Sequence, residues 1–185
     1  MQQTEAQVLS KEEYLEGELH SDIRHEYYNG QVFAMAGAGE KHNIISGNLF
    51  SAMRSKARGT DCRTFIADMK LLISELDRFY YPDILLACDP TDDHEYYKEK
   101  PCLVIEVLSP STEVIDRREK LHSYQGIPSL KEYILISQEM MQVECYRRHG
   151  DSWEYSMMSG EDAILQLECL DLTVDMAMLY EDVFV

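Results

Sequence analysis

Glu106 stands inside the run Cys102-Leu103-Val104-Ile105-Glu106-Val107-Leu108, whose other members are all apolar. A carboxylate in such a strand must be paired, protonated or held by a metal. Asp83 supplies a companion: it follows Pro82 at the start of Ile84-Leu85-Leu86, near a strand end rather than in a core. If the two strands are neighbours, their carboxylates converge on one hard cation, and Mg²⁺ or Mn²⁺ suits such oxygen ligands. Pairing of Glu106 with a buried Arg or Lys meets the same requirement, and Pro-Asp also punctuates turns.

Lys120 lies four residues beyond Asp116, so the two share a helix face and form at least an ordinary intrahelical ion pair. Placed near a metal, the same ammonium could orient or help deprotonate a water and offset charge developing on a phosphate. Arg117 and Arg118 suit contact with a phosphate backbone, or simple solvation at a helix start. Glu26 and His42 are further candidates, each with an ordinary alternative: an outward hairpin residue and a first-turn helix residue. The other histidines show no zinc spacing, and HExxH, Walker A and nucleotide-binding GxGxxG motifs are absent.

The elements that must position these groups are legible in the local patterns. Ser10 and Glu13 form a capping-box signature, predicting a helix over 11–18. Asn29-Gly30 joins two strand-like segments as a hairpin. From Lys41 to Ala57 the apolar residues recur at helical spacing, with Arg54, Lys56 and Arg58 near the end. Strands are predicted over 62–67, 69–74, 81–87 and 102–108, with a surface loop over 89–99. A helix follows from Ser109-Pro110-Ser111-Thr112 through about Tyr124, packing through Leu121 and Tyr124. Strands over 132–137, 142–147 and 153–157 precede a closing helix from Leu172 to Tyr180. A helix between strands 102–108 and 132–137 permits a crossover, which favours an α/β fold with a mixed sheet flanked by helices over a sandwich.

The length, 185 residues, fits one domain over 1–185 with a short N-terminal helical extension. No apolar run is long enough to span a membrane and the start lacks the features of a signal peptide, so the expectation is a cytoplasmic protein with no membrane partner. Five cysteines without a CxxC pair are expected as free, partly buried thiols. A net charge of −17 argues against polyanion binding by a broad basic face, but residues 40–58 carry a net +3, so a nucleic-acid surface would be local to that helix and to Arg117, Arg118 and Lys120.

Taken in order, Arg24-His25-Glu26-Tyr27-Tyr28-Asn29-Gly30, His42-Asn43-Ile44-Ile45, Tyr81-Pro82-Asp83-Ile84-Leu85, Val104-Ile105-Glu106-Val107-Leu108-Ser109-Pro110, Asp116-Arg117-Arg118-Glu119-Lys120 and Ile127-Pro128-Ser129-Leu130-Lys131-Glu132-Tyr133 closely resemble the Uma-type restriction-endonuclease family, common in cyanobacteria, within the PD-(D/E)XK nuclease superfamily. The resemblance covers roughly residues 9–182. It implies a restriction-endonuclease-like fold and Mg²⁺-dependent hydrolysis of DNA phosphodiesters, with Mn²⁺ as a substitute. Asp83 resembles the motif aspartate and Glu106 the acidic member of (D/E)XK, with the Val107 carbonyl as a third metal ligand. The motif lysine position holds Leu108, and Lys120 matches the lysine that the family carries in the following helix. Glu26 resembles an upstream acidic residue and His42 a recurrent histidine. Analogy with nucleases that cut duplexes implies a homodimer. A noncatalytic nucleic-acid-binding or assembly protein on the same fold is the alternative.

Overall fold

The computed structural model describes residues 8–184; the first part of the N-terminal extension, residues 1–7, lies outside them. Helix α1 (Lys11–His20) begins with the expected capping box, in which the Ser10 hydroxyl accepts from the Glu13 N–H and the Glu13 carboxylate accepts from the Ser10 N–H. Its buried Tyr14 packs against the tilted rings of Tyr27 and Phe79, seating the helix on a sheet. Strands β1 (His25–Tyr28) and β2 (Gln31–Ala34) form the hairpin, with Asn29 and Gly30 at φ 46° and 90°. A side chain at Gly30 would also collide with Val8, so the turn and the close approach both require glycine.

The central layer is a six-stranded sheet formed by β3 (Arg63–Ile66), β6 (Ile84–Ala87), β8 (Pro101–Leu108), β9 (Glu132–Ser137), β10 (Gln142–His149) and β11 (Ser152–Ser159), in the order β11-β10-β9-β8-β6-β3. β8 and β9 run parallel and the other neighbours antiparallel, so the sheet is mixed as expected. The helical crossover between β8 and β9 comprises α3 (Glu113–Ile115), a π-helical stretch (Asp116–Lys120) and α4 (Leu121–Gln125). A second, five-stranded sheet has the order β2-β1-β5-β4-β7, adding β4 (Lys70–Ile73), β5 (Arg78–Tyr80) and β7 (Tyr97–Lys98) to the hairpin.

The alternation of β8 divides the core. Leu103, Ile105 and Val107 join Ile45, Leu49 and Met53 of α2 (Glu40–Lys56) in one cluster, while Val104 and Leu108 face Tyr124, Tyr133 and Leu71 in another. Glu106 shares the parity of the second set, so its carboxylate enters a layer rich in tyrosine hydroxyls.

Three local expectations need correction. Residues 172–175 are strand β13 (Leu172–Asp175), paired with β12 (Ile164–Leu167); only α5 (Met176–Leu179) is helical in that closing segment. Val174 lies opposite Leu165, an alternation that a short apolar run conceals. The segment over 89–99 contains the two-residue β7. Four cysteines form the disulfides Cys62–Cys88 and Cys102–Cys169, leaving Cys145 as a free buried thiol. Pairing of Arg63 with Ala87 brings Cys62 beside Cys88, a long-range proximity that cysteine spacing does not encode.

Candidate active site

The register of β6 and β8 sets Ile84 opposite Ile105, and one step further brings Asp83 opposite Glu106. Opposed residues of an antiparallel pair project to the same side. The backbone then locks the two acids together: Val107 N–H donates to Asp83 Oδ2 at 2.7 Å, and Asp83 N–H points to Glu106 Oε2 at 3.4 Å. Both residues line a cleft of about 680 Å³, whose walls also include His42, Asp116 and Lys120.

Lys120 reaches this place from the crossover. Its Nζ lies 3.1 Å from Glu106 Oε1, 3.2 Å from Glu26 Oε1 and 3.3 Å from Asp116 Oδ1. Only the Glu106 contact has hydrogen-bond geometry; the facing oxygens of Glu26 and Asp116 are buried without a hydrogen-bond partner and act on the ammonium through charge. Burial disfavours a charged lysine, but Glu106, Glu26 and Asp116 together outweigh it and hold Lys120 well above the usual lysine range. Glu106 is pushed well above the usual carboxylate range by burial; Lys120 opposes that, while Asp116, Asp83 and Glu26 reinforce it. Tyr124 O–H also donates to Glu106 Oε1, at 3.0 Å.

His42 sits in the first turn of α2, with Nε2 3.0 Å from Asp83 Oδ2. Burial works against its charged form, but the hydrogen-bonded Asp83 carboxylate, Asp116 and the Val107 carbonyl outweigh burial and raise its pKa. Glu26, from β1, approaches Lys120 from behind the cleft and lines a separate pocket with Phe33 and Ile115. All five candidate side chains are thus brought into one connected cluster.

Three members of the cluster were not singled out as site residues from sequence: Asp116 as a buried acid, Tyr124 as a hydroxyl donor, and Tyr133, whose O–H donates to the Asp116 carbonyl at 3.1 Å. The i, i+4 ladder Asp116, Lys120, Tyr124 was the available signal. Arg117 goes the other way. It pairs with Glu113 and, at 2.9 Å, with Glu144, so the guanidinium expected on phosphate is already committed to protein carboxylates. Arg54 and Lys56 lie in the last turn of α2, about 18–21 Å along the axis from His42, so the basic cluster is at the end of the helix remote from the cleft.

Among the described residues no group of three or more His, Cys, Asp or Glu side chains is arranged around a common metal position. The donor chemistry nevertheless fits one hard cation. Glu26, Asp83, Glu106 and Asp116 face a single lysine and a single histidine, an excess of negative charge. Glu106 Oε2 and Asp83 Oδ1 retain acceptor capacity, and Mg²⁺ keeps several waters when few protein oxygens bind it.

A family profile described as "Putative restriction endonuclease", Uma2, matches residues 11–178. The chain belongs to the Uma2 family. Two uncharacterized proteins of Synechocystis sp. are similar to this Uma2 chain: one is 34% identical over 93% of this chain and 91% of its own length, the other 31% identical over 89% and 96%. A crystal structure from Anabaena variabilis, described as a "putative nuclease belonging to DUF820", superimposes with a TM-score of 0.72, covering 89% of the Uma2 chain and 93% of its own at 20% identity. That likeness shows the fold, a mixed sheet flanked by helices, in keeping with the restriction-endonuclease-like architecture that the family description names. No described helix is long and apolar enough to cross a membrane.

Proposed function

We propose that this Uma2 protein is a Mg²⁺-dependent endonuclease that hydrolyses phosphodiester bonds of DNA, with Mn²⁺ able to replace Mg²⁺, acting in the cytoplasm as a homodimer of one domain spanning residues 1–185. The observation that carries the reading is the pair of opposed acids, Asp83 and Glu106, in a cleft that also receives a buried lysine. Asp83 and Glu106, with the Val107 carbonyl, would hold the cation, which when bound neutralises phosphate charge and acidifies water. Lys120 serves as a fixed ammonium: the carboxylates around it keep it protonated, so it donates to a phosphoryl oxygen or orients a water rather than accepting a proton. His42, its pKa raised by the hydrogen-bonded Asp83 carboxylate, would offer a proton donor within the cleft. Glu26 and Asp116 fix the ammonium from its other sides. A second active site supplied by the dimer would address the other strand of a duplex.

The noncatalytic alternative draws on one observation. Lys120 and His42 already compensate one oxygen each of Glu106 and Asp83, which is how a purely structural polar cluster would be satisfied. The deciding experiment is a cleavage screen over single-stranded, duplex and branched DNA with Mg²⁺ or Mn²⁺, run beside identically purified Asp83→Asn and paired with Mn²⁺ calorimetry. The nuclease reading expects Mn²⁺ binding that Asp83→Asn and Glu106→Gln weaken, and cleavage that both abolish. Equal Mn²⁺ affinity in wild type and Asp83→Asn would sink it.

A further inference from the structure

Lys70, the first residue of β4, is a buried cation that the proposed chemistry does not use. Its side chain is only 6% exposed, yet it takes part in none of the ion pairs or hydrogen bonds found among the described residues; Nζ stands 5.2 Å from the centre of the Tyr81 ring. Nζ itself is not among the fully buried polar atoms, so the stem is covered while the ammonium keeps some accessible surface; burial of the residue still holds Lys70 below the usual lysine range, with Glu18 and Asp68 opposing that shift.

Lys70 lines a cavity of about 270 Å³ together with Arg24 and Asp68. Arg24, Asp68 and Tyr81 also line the catalytic cleft, so the two spaces adjoin across the Arg24–Asp68 pair. The carboxylates nearby are largely engaged. Glu18 accepts from Tyr81 O–H at 2.6 Å and lies 2.9 Å from His25 Nδ1, and Asp68 accepts from Arg24 Nε at 3.3 Å. Glu95 is exposed at the rim. Arg24 Nη1 donates to the Ser21 carbonyl at 3.2 Å, and Nη2 has no protein acceptor among the described residues. A ligand entering the cavity therefore meets one unpaired ammonium and the free edge of a guanidinium, a donor set suited to a phosphate group.

We propose that Lys70 and Arg24 form a phosphate subsite that holds a backbone phosphate of the nucleic-acid strand flanking the one to be cut. This rests on the nuclease reading for the identity of the strand. The subsite presents an ammonium and the free edge of a guanidinium beside the cleft in a protein of net charge −17, and a bound phosphate gives Lys70 the direct ion pair that it lacks among the described residues.

Two measurements test it. In the first, inorganic phosphate is titrated into wild type, Lys70→Met and Lys70→Arg while the Arg24 Nε–Hε resonance is followed by NMR. A saturable shift in wild type, kept in Lys70→Arg and lost in Lys70→Met, is expected; no saturable shift in wild type overturns the subsite. In the second, duplex binding is measured against salt concentration in an Asp83→Asn background, which separates binding from cleavage. Lys70→Met is expected to lower the slope of log affinity against log salt by about 0.9, the value for one lost phosphate contact on duplex DNA. An unchanged slope overturns the assignment to a nucleic-acid strand, even where free phosphate binds. Absence of any duplex binding by the wild type overturns the assignment to a duplex strand, while the nuclease reading stands or falls on Mn²⁺ binding and the phosphate titration decides the anion site alone.

Discussion

Lys120 Nζ and Glu106 Oε1 meet at 3.1 Å from two different elements, a crossover helix and the strand that precedes it. Both residues are buried, and Asp116 and Glu26 lean on the same ammonium. Removing the lysine would leave three carboxylates facing one another without a cation. Lys120→Met is therefore expected to destabilise the metal-free protein by about 3–5 kcal/mol, the usual cost of orphaning a buried charge. Denaturant melts would check it. Added Mn²⁺ should recover more stability in this variant than in wild type, because the variant has the larger charge deficit.

The His42–Asp83 contact predicts a pH signature. Folding raises the His42 pKa above its unfolded value, so its contribution is fully present below that value and is lost as pH rises through the folded-state pKa. The loss in Tm caused by His42→Gln, measured without metal, should be larger at about pH 6 than at about pH 9. A penalty that grows with pH would show that the imidazole is held neutral.

Arg117 separates structural from nucleic-acid roles. Arg117→Met leaves the buried Glu144 without its guanidinium and should cost about 1–3 kcal/mol of stability. The salt slope of duplex binding should not change. Charge reversal at exposed Arg118 should leave stability within about 0.5 kcal/mol of wild type, and thermal melts of the two variants would display the contrast.

The two disulfides differ in the chain length they close, with sequence separations of 67 for Cys102–Cys169 and 26 for Cys62–Cys88. In the chain-entropy limit these correspond to roughly 4 and 3.5 kcal/mol. Replacing Cys102 and Cys169 together by serine should lower Tm at least as much as the same change at Cys62 and Cys88. Thiol counting under denaturing conditions, before and after reductant, would establish that both bonds are present.

The parts of this arrangement that could be read from sequence are those where one residue conflicts with its surroundings. Glu106 contradicts an aliphatic strand and Asp83 opens an earlier apolar run, so the sequence alone distinguishes the pair. Lys120 and Asp116 were legible as neighbours but not as buried ones, since helical spacing fixes who meets whom and says little about which face is covered. Tyr124 read as packing because its ring does pack; the destination of its hydroxyl depends on the β8 face, which only the sheet register defines. Arg117 looked available because its partner Glu144 is distant in sequence, on β10. The same blindness to distant pairing hid the disulfides and turned β13 into part of a helix.

The π-helical stretch Asp116–Lys120 makes the position of the ammonium sensitive to the length of the crossover. Of the carboxylates around Lys120, Glu106 belongs to the central sheet, Glu26 to β1 of the second sheet and Asp116 to the π-helical stretch itself, whose hydrogen-bond ladder is irregular and whose flanking Val114 and Ile115 are exposed. Sheet register sets the two opposed acids, whereas a five-residue π-helical stretch sets the ammonium, so removing one residue from that stretch would turn Lys120 off Glu106 and leave Asp83 and Glu106 in register.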